Sequence, residues 1–334
     1  MIVLGIETSC DDSAVGLYDT ERRVLASVLA AQLEHAPYGG VVPELASRVH
    51  LRNLPPVLRA ALAEAGLGPG GVDAVAVTRG PGLMGSLLVG LAFARALGHA
   101  WDRPVVGVHH IESHILANHL ERDMAFPALV LVVSGGHSQI VLARRPGDYE
   151  LLATTRDDAA GEAFDKAAKV LGLGFPGGPR IEERARRGNP EAIAFPVARL
   201  GDGGLDFSFS GLKTAARLRW EGNPPGGEAG LDDFCASFQR AVIAQLLDRL
   251  LRAARGRDLR AVYLAGGVAA NRALLAAARE ALDPLGLPVF APEPRYCTDN
   301  GAMVACAAAL RLAAGPAPAP PDEPFPRGDI ASWR

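Results

Sequence analysis

Two stretches of similar pattern decide the predicted fold: IVLGIETSCDDSAVGLY at residues 2–18 and ALVLVVSGGHSQIVLA at residues 128–143. Each is an apolar run, then a polar turn rich in Gly, Ser or Asp, then a second apolar run. This pattern predicts two strands joined by a tight turn. The strands expected in the two copies, each with a third strand after it, lie at 2–6, 14–18 and 24–29, and at 128–133, 138–143 and 149–153.

A second repeated pattern extends both copies. A strand at 72–78, a Gly-rich turn and an apolar helix at 86–97 precede a strand at 105–108. The corresponding later segments are a strand at 261–265, a helix capped by Asn271 and ending near 282, and a strand at 288–290. Two βββαβα halves predict a two-lobed α/β protein whose interlobe cleft binds the ligand. We expect lobes at 1–125 and 126–310 and a Pro-rich tail at 311–334.

The composition excludes several classes of protein. The 334 residues are 49% hydrophobic and 21% charged, with 38 Gly and 25 Pro, which indicates a folded chain rather than a disordered or fibrous one. No apolar run reaches the ~18 residues of a membrane span. The first residues lack the basic region of a secretory signal, and the four cysteines form no CxxC pair. We therefore expect a cytoplasmic protein with reduced thiols and no membrane partner.

The motif HHIESH at 109–114 follows a predicted strand. If a helix begins there, His110 and His114 lie one turn apart on one face, at the spacing of two metal ligands. Glu112 then lies on roughly the opposite face, unlike the Glu of an HExxH metalloprotease. The spacing alone leaves open the alternative of surface or capping histidines.

A second motif, CTDNGAM at 297–303, precedes a predicted helix at 302–312. Thr298 or Asp299 could cap this helix, and the spacing alone favours that interpretation. Alternatively, Asp299 is a ligand from the second lobe. Two histidines and one carboxylate would leave open positions suited to iron or zinc.

Gly-rich turns at 80–82, 134–136 and 266–267 each end a predicted strand. The N–H groups of such turns can approach a phosphate closely, although Gly-rich turns also simply end strands. A predicted helix with Glu162 and Asp165 one turn apart precedes a Pro-Gly-Gly-Pro loop, which could form a wall of a ligand site. Acidic residues near a helix N-terminus are also favourable without a ligand.

Together these motifs resemble one family over essentially the whole chain, the bacterial tRNA N6-adenosine threonylcarbamoyltransferases of the TsaD type. Ten ordered blocks carry the resemblance: GIETSCDDSA at 5–14, YGGVVPELASRVH at 38–50, GPGLMGSLLVG at 80–90, HHIESH at 109–114, LVVSGGHSQI at 131–140, DDAAGEAFDKAAK at 157–169, FPGGP at 175–179, DFSFSGLKT at 206–214, AGGVAANRAL at 265–274 and CTDNGAM at 297–303.

The resemblance implies the actin-like fold shared by actin, sugar kinases and Hsp70. It also implies transfer of the threonylcarbamoyl group from threonylcarbamoyl-AMP to N6 of adenosine 37 in tRNAs that read ANN codons, with release of AMP.

The resemblance further implies that one divalent metal ion per subunit, Fe²⁺ or alternatively Zn²⁺, is held by His110, His114 and Asp299. Asp11 and Asp12 are candidate catalytic carboxylates near the phosphates, with a turn-forming role as the equal alternative. The residues implied to bind the adenylate are Val132, Val133, Ser134, Gly135, Gly136, Asp165, Gly178, Glu182 and Asn271.

The partners implied by the resemblance are tRNA, a TsaB-type subunit and a TsaE-type ATPase, with a separate TsaC-type enzyme making the adenylate. The net charge of −3 does not itself predict nucleic-acid binding, so partner subunits would contribute to holding tRNA. The alternatives are a metalloprotease acting through His110, a small-molecule kinase of the same fold, and a nucleotide-sensing scaffold that would tolerate His110→Ala.

Overall fold

A computed structural model of the chain describes residues 1–21, 23–38, 40–198, 203–222, 224, 226–315 and 323–333. The described residues divide into two compact units. The first unit draws on Met1–Met124, Arg145–Tyr149 and Thr298–Arg334, and the second on Ala125–Arg144 and Glu150–Cys297. None of the described helices is both long and apolar enough to cross a membrane.

The first unit contains a five-stranded sheet in the order β3-β2-β1-β4-β5. β1 (Ile2–Glu7) pairs antiparallel with β2 (Asp12–Asp19), and β2 pairs antiparallel with β3 (Arg23–Ala31). On its other side β1 pairs in parallel with β4 (Ala74–Gly80), which pairs in parallel with β5 (Val105–His109). The carboxyl ends of β1, β4 and β5 therefore lie at one edge, where ligand sites form in such sheets.

The second unit contains a sheet of the same topology, in the order β10-β9-β6-β7-β8. β6 pairs antiparallel with β7 and in parallel with β9, as β1 does with β2 and β4. The strands are β6 (Ala128–Val133), β7 (Ser138–Arg145), β8 (Asp148–Thr154), β9 (Ala261–Ala265) and β10 (Val289–Phe290). The duplicated, two-lobed α/β organisation predicted from the sequence is confirmed.

The helices connect the strands and cover both sheets. They are α1 (Pro43–Ala65), α2 (Met84–Trp101), α3 (His110–Leu116), α4 (Ala160–Val170), α5 (Gly177–Ala185), α6 (Ser210–Gly222), α7 (Gly227–Ala254), α8 (Arg272–Leu282), α9 (Pro294–Cys297) and α10 (Gly301–Ala314). In the first unit, α1 and α2 share an apolar core with Leu4 and Ile6 of β1. In the second, the core contains Phe164, Phe234 and Phe238.

The opposite face of the first sheet is covered by α10, because glycines allow the helix to come very close. A Cβ on Gly5 would lie 2.2 Å from the carbonyl oxygen of Gly301, and one on Gly16 would lie 2.3 Å from the amide nitrogen of Ala302. Side chains alternate along a strand, so Leu4 and Ile6 face α1 and α2 while Gly5 faces α10. The start of α10 is therefore fixed against the backbone of β1 and β2.

The structure differs from the expected lobe boundaries at the C-terminal end. The expected division at 310 falls inside α10, and the residues after Cys297 that the structure describes pack with the first unit. The cause is the contact of α10 with β1 and β2, which joins segments almost 300 residues apart. Of the expected tail, residues 311–314 are helical and 316–322 lie outside the described residues.

Candidate active site

Two of the predicted metal ligands lie on α3, which begins directly where β5 ends. His110 and His114 are both buried, and their ring centroids are 4.6 Å apart. Nε2 of His114 lies 3.1 Å, and Nε2 of His110 3.8 Å, from Oδ1 of Asp299. One ligand atom from each of the three residues can be chosen so that all lie within 4.8 Å of one another. The structure thus brings together the three residues expected to bind the metal.

The loop before α10 leaves Asp299 available for this role. Asn300, not Thr298 or Asp299, is the N-cap of α10, because its Oδ1 accepts a hydrogen bond of 2.8 Å from the Met303 amide. The cap that the sequence assigned to Thr298 or Asp299 is therefore wrong. Asp299 also belongs to the same unit as the two histidines, whereas the sequence analysis placed it on the other lobe.

The donor set fits a metal ion. His114 is only 1% exposed, yet among the described residues neither of its ring nitrogens has a partner with hydrogen-bond geometry. A buried polar group without a partner is costly. Ligands at about 2.0–2.2 Å from one ion lie roughly 3–3.6 Å from each other, close to the observed separations of 3.1 and 3.8 Å. We therefore consider His110, His114 and Asp299 a group that could hold a metal.

A buried carboxylate at the end of β1 orients the first histidine. Glu7 is fully buried, and its Oε2 lies 3.2 Å from Nδ1 of His110. The same carboxylate accepts hydrogen bonds of 2.6 Å from the Thr78 hydroxyl and from the Ser9 amide. A carboxylate that accepts a hydrogen bond from Nδ1 selects the tautomer in which Nε2 can act as a metal ligand.

The charges around this histidine favour its interaction with Glu7. Burial alone would lower the pKa of His110, but Glu7 and Asp299 outweigh it and raise that pKa to about 9. Burial alone would raise the pKa of Glu7, but the adjacent His110 holds it below its usual value.

The turn between β1 and β2 carries Asp11 and leads into Asp12, the first residue of β2, and α1 holds this segment in place. His50 is buried, with Nε2 3.0 Å from the Cys10 carbonyl oxygen and Nδ1 2.8 Å from the Ser13 hydroxyl. Burial, followed by the negative charges of Asp299, Asp11 and Glu7, raises the pKa of Asp12 to about 7. The start of β2 therefore carries a carboxyl group whose pKa is raised towards neutral pH.

Glu112, the acid between the two histidines, faces away from them. It is fully buried, and its Oε2 accepts hydrogen bonds from Nε of Arg311 at 2.8 Å and from Nε1 of Trp333 at 3.0 Å. Burial raises the pKa of Glu112, although Arg311 and Trp333 oppose this. A carboxylate held in this way is not positioned to activate water as in an HExxH protease, which confirms the orientation expected from the sequence.

In the second unit, the turn after β6 is the starting point of the predicted adenylate site. Ser134 closes this turn, with its amide 2.8 Å from the His137 carbonyl oxygen. The Gly161 amide at the start of α4 lies 3.2 Å from the Ser134 carbonyl oxygen, and a Cβ on Gly161 would lie 2.5 Å from the same atom. Val132 and Val133 are buried in the strand and can reach a ligand only through their backbone.

Asp165 connects this region to the start of α5. Its Oδ1 accepts a hydrogen bond of 2.7 Å from the Gly177 amide, and the Gly178 amide also faces the carboxylate. Burial raises the pKa of Asp165, although these two amides lower it. Asp165 thus fixes the N-terminal turn of α5.

Glu182 and Asn271 connect α5 to the start of α8. Oε1 of Glu182 accepts a hydrogen bond of 3.1 Å from the Arg272 amide. Asn271 caps α8 as predicted, with Oδ1 2.9 Å from the Leu274 amide, and its Nδ2 donates to Oε1 of Gln239 at 2.7 Å. Both side chains therefore hold helix ends in place.

The glycines of this region fall into two groups. A Cβ on Gly161, Gly177 or Gly266 would lie within 2.8 Å of neighbouring atoms, so these three serve packing. At Gly135, Gly136 and Gly178, by contrast, nothing lies within 4 Å of the position of a Cβ. The glycines named in the sequence prediction thus have open space beside their backbone.

Sequence reasoning missed the residues that support the site. Glu7, Ser9 and Thr78 around His110 received no role, nor did His50 or Gln239. Glu7 and Ser9 lie in the block GIETSCDDSA and His50 in YGGVVPELASRVH, so the signal was present without a function attached. An acid at the end of an apolar strand is the local feature that could have identified Glu7.

Comparison with solved structures defines the fold class. HypF from T. kodakarensis superposes with a TM-score of 0.62 at 16% identity, covering 94% of this chain and 48% of that one. Component A of (R)-2-hydroxyglutaryl-CoA dehydratase from Acidaminococcus fermentans gives 0.54 at 13% identity, covering 94% and 99%. The chain has the two-lobed, actin-like α/β fold.

Comparison of sequences defines the family. The model of the TsaD family, tRNA N6-adenosine threonylcarbamoyltransferase, matches residues 23–306. A protein of that name from Anaeromyxobacter dehalogenans is 52% identical over 94% of this chain and 95% of its own length. Another, from Burkholderia pseudomallei, is 48% identical over 99% of both. The chain belongs to the TsaD family of tRNA N6-adenosine threonylcarbamoyltransferases.

Proposed function

We propose that this chain transfers the threonylcarbamoyl group from threonylcarbamoyl-AMP to N6 of adenosine 37 in tRNAs that read ANN codons. The N6 amine attacks the carbamoyl carbonyl carbon and loses a proton, the bond from that carbon to the phosphate oxygen breaks, and AMP leaves. The observation that carries the proposal is the group of His110, His114 and Asp299, in which both histidines are buried and Glu7 lies on the far side of His110.

We propose that His110, His114 and Asp299 hold one divalent ion, with Fe²⁺ as the first candidate and Zn²⁺ as the alternative. Two imidazoles and one carboxylate leave open positions on either ion. When bound, the ion would supply Lewis-acid polarisation of the carbamoyl carbonyl. Glu7 accepts a hydrogen bond from Nδ1 of His110 and so favours the tautomer in which Nε2 can coordinate the ion.

The adenylate site that we propose lies in the second unit. The exposed glycines Gly135 and Gly136, and Gly178 at the start of α5, leave their backbone accessible to a nucleotide. N–H groups at the start of a helix and in a Gly-rich turn favour phosphate. Asp165, Glu182 and Asn271 support the site by holding the starts of α5 and α8 in position.

Asp11 and Asp12 are the proposed catalytic carboxylates. The exocyclic amine of adenosine must lose a proton during the transfer, and a carboxyl group with a pKa of about 7 is suited to accept one. We assign this role to Asp12 at the start of β2, with Asp11 directly before it.

The proposed setting is a cytoplasmic complex on tRNA. The net charge of −3 gives this chain little general electrostatic attraction for nucleic acid. TsaB-type and TsaE-type subunits would therefore contribute further contacts that bind tRNA. No disulfide joins the four cysteines, and a reducing compartment would keep them as thiols.

The test combines the purified chain with its TsaB-type and TsaE-type partners, unmodified tRNA and synthetic threonylcarbamoyl-AMP. Nucleoside mass spectrometry then measures threonylcarbamoyl-adenosine. We expect the product with wild-type protein and with His99→Ala, which changes an exposed histidine of α2, and none with His110→Ala.

A tRNA carrying guanosine at position 37 is the matched substrate control, since it lacks the N6 amine. Product from that tRNA would show that another nucleoside is the acceptor. Full activity of His110→Ala would contradict the proposed role of the metal group.

A further inference from the structure

A buried polar cluster lies on the side of α3 opposite to the proposed metal ligands. We call it the Glu112 cluster, and it consists of Glu112, Arg311 and Trp333. The Arg311 guanidinium and the Trp333 indole N–H both bind Oε2 of Glu112, and the guanidinium carbon lies 4.8 Å from the Trp333 ring centroid. None of the activities proposed above uses these three residues.

The cluster joins α3, which carries His110 and His114, to α10, which directly follows the loop that carries Asp299. Glu112 lies on α3 between His110 and His114, while Arg311 lies on α10, whose first residue is two positions after Asp299. The two helices are in contact, and Sγ of Cys306 in α10 lies 3.8 Å from the Leu116 carbonyl oxygen. The Glu112–Arg311 ion pair therefore fixes the position of α3 relative to α10.

The third member comes from the last described segment of the chain, residues 323–333. The Trp333 ring packs 5.5 Å from the ring of His109, the residue directly before His110, and 5.4 Å from the ring of Phe325. The segment is also attached to the end of β4, because the Phe325 amide donates to the Arg79 carbonyl oxygen at 3.0 Å. Trp333 thus completes the cluster, and the hydrogen bond of Phe325 to Arg79 attaches the same segment to β4.

We propose that the Glu112 cluster positions the metal group, holding α3 on α10 so that His110 and His114 meet Asp299. The inference rests on the proposed metal centre. Glu112, Arg311 and Trp333 are positioning residues, since they touch neither the ligand atoms nor a substrate. The C-terminal segment thereby becomes part of the support of the metal centre.

The physical basis is that both charges are withdrawn from water. Glu112 is fully buried and the Arg311 side chain is 15% exposed. A buried ion pair has a narrow range of favourable geometry, and removing one member leaves the other charge uncompensated. Metal coordination tolerates errors of only about 0.2 Å in ligand distance, so a small slip of α3 along α10 lowers affinity.

The test measures metal binding directly. Zn²⁺ is titrated into the metal-free, full-length protein in competition with a chromophoric chelator, and Co²⁺ is added separately to record its visible spectrum. We expect Glu112→Gln to weaken Zn²⁺ binding about tenfold or more, as loss of outer-sphere support does elsewhere. Trp333→Phe, which keeps an aromatic ring but loses the N–H donor, should weaken binding measurably but less than Glu112→Gln does. Both variants should change the Co²⁺ spectrum.

Two controls separate positioning from general destabilisation. Trp101→Phe changes an indole at the end of α2 in the same unit and should bind Zn²⁺ as the wild type does. The double variant Glu112→Gln with Arg311→Met removes both charges, so its stability should recover relative to Glu112→Gln alone while its Zn²⁺ affinity stays reduced.

The inference is overturned if Glu112→Gln and Trp333→Phe bind Zn²⁺ with wild-type affinity and leave the Co²⁺ spectrum unchanged. It is also overturned if the double variant regains wild-type affinity together with stability, because the pair would then act through folding alone. If instead the proposed metal site were wrong, the wild-type protein and His114→Ala would bind Zn²⁺ equally weakly. That result distinguishes an error in the metal site from an error in the positioning role of the Glu112 cluster.

Discussion

Replacing Gly301 by Ala should displace the start of α10 and with it Asp299. A Cβ at this position would lie 2.1 Å from the Gly16 amide nitrogen and 2.4 Å from the Val15 carbonyl carbon. These are backbone atoms of β2 and cannot rotate away, so the helix must retreat by about 1 Å to restore ordinary contact. Overpacking of this kind costs about 1–3 kcal/mol, against a gain of at most about 1 kcal/mol from the better helix propensity of Ala. We expect a net loss of about 1–2 kcal/mol in the free energy of unfolding.

The same displacement should weaken metal binding, because Asp299 lies two residues before the substituted position. A shift of about 1 Å exceeds the tolerance of metal–ligand distances, so Zn²⁺ affinity should fall at least about tenfold. Urea denaturation and Zn²⁺ competition titration measure the two effects. Gly211→Ala is the matched control, since this glycine of α6 has open space around it and the substitution should stabilise the protein by about 0.5–1 kcal/mol. If Gly301→Ala were as stable as Gly211→Ala and bound Zn²⁺ normally, the close packing of α10 on β2 would not be what places Asp299.

Three further substitutions test other parts of the site. The pKa of Asp12 is raised to about 7, so its ionisation destabilises the folded state as the pH rises from about 4 to 7. In urea denaturation, Asp12→Asn should therefore be more stable than the wild type by about 1–3 kcal/mol at pH 8 and should lose this advantage towards pH 4. The same variant should be inactive. Asn271→Ala removes the N-cap of α8 and leaves Gln239 without its buried partner. The free energy of unfolding should therefore fall by about 2–4 kcal/mol in the same assay. A decrease smaller than about 0.5 kcal/mol would contradict the capping role of Asn271. Glu7→Gln should weaken Zn²⁺ binding about ten- to hundredfold by removing the carboxylate from Nδ1 of His110, and unchanged affinity would refute that role.

The parts of the fold that the sequence predicted are those set by local pattern. The strands of both sheets, the helix begun by Asn271 and the start of α3 at the histidine motif all follow from hydrophobic period and capping chemistry within about a dozen residues. The cap of α10 was assigned wrongly because Thr298, Asp299 and Asn300 are all favoured N-caps. Only the backbone conformation decides among them, and it selects Asn300.

The assignment of α10 to the first unit could not be predicted in the same way. It depends on Gly5 and Gly16, which look like ordinary strand glycines in the sequence. Their role in the close approach of α10 is visible only once Gly301 is seen to pack on them. The alternating pattern of β1 specifies which face is apolar, but not which distant segment covers the other face.

The two buried acids near the proposed metal group explain why ligands are easier to predict than their support. His110 and His114 must be imidazoles at a fixed spacing, and that constraint is visible in a few letters of sequence. Glu7 and Glu112 are the same residue type and both fully buried, yet Glu7 orients His110 while Glu112 faces away from both histidines. Their roles differ because Glu7 meets α3 on the ligand side, through a contact spanning 103 residues, and Glu112 meets Arg311 and Trp333 on the other side, across 199 and 221 residues. Any residue that reaches the right place can supply such support. Its identity is therefore fixed by the tertiary fold, and the support of a site is found only once the contacts are known.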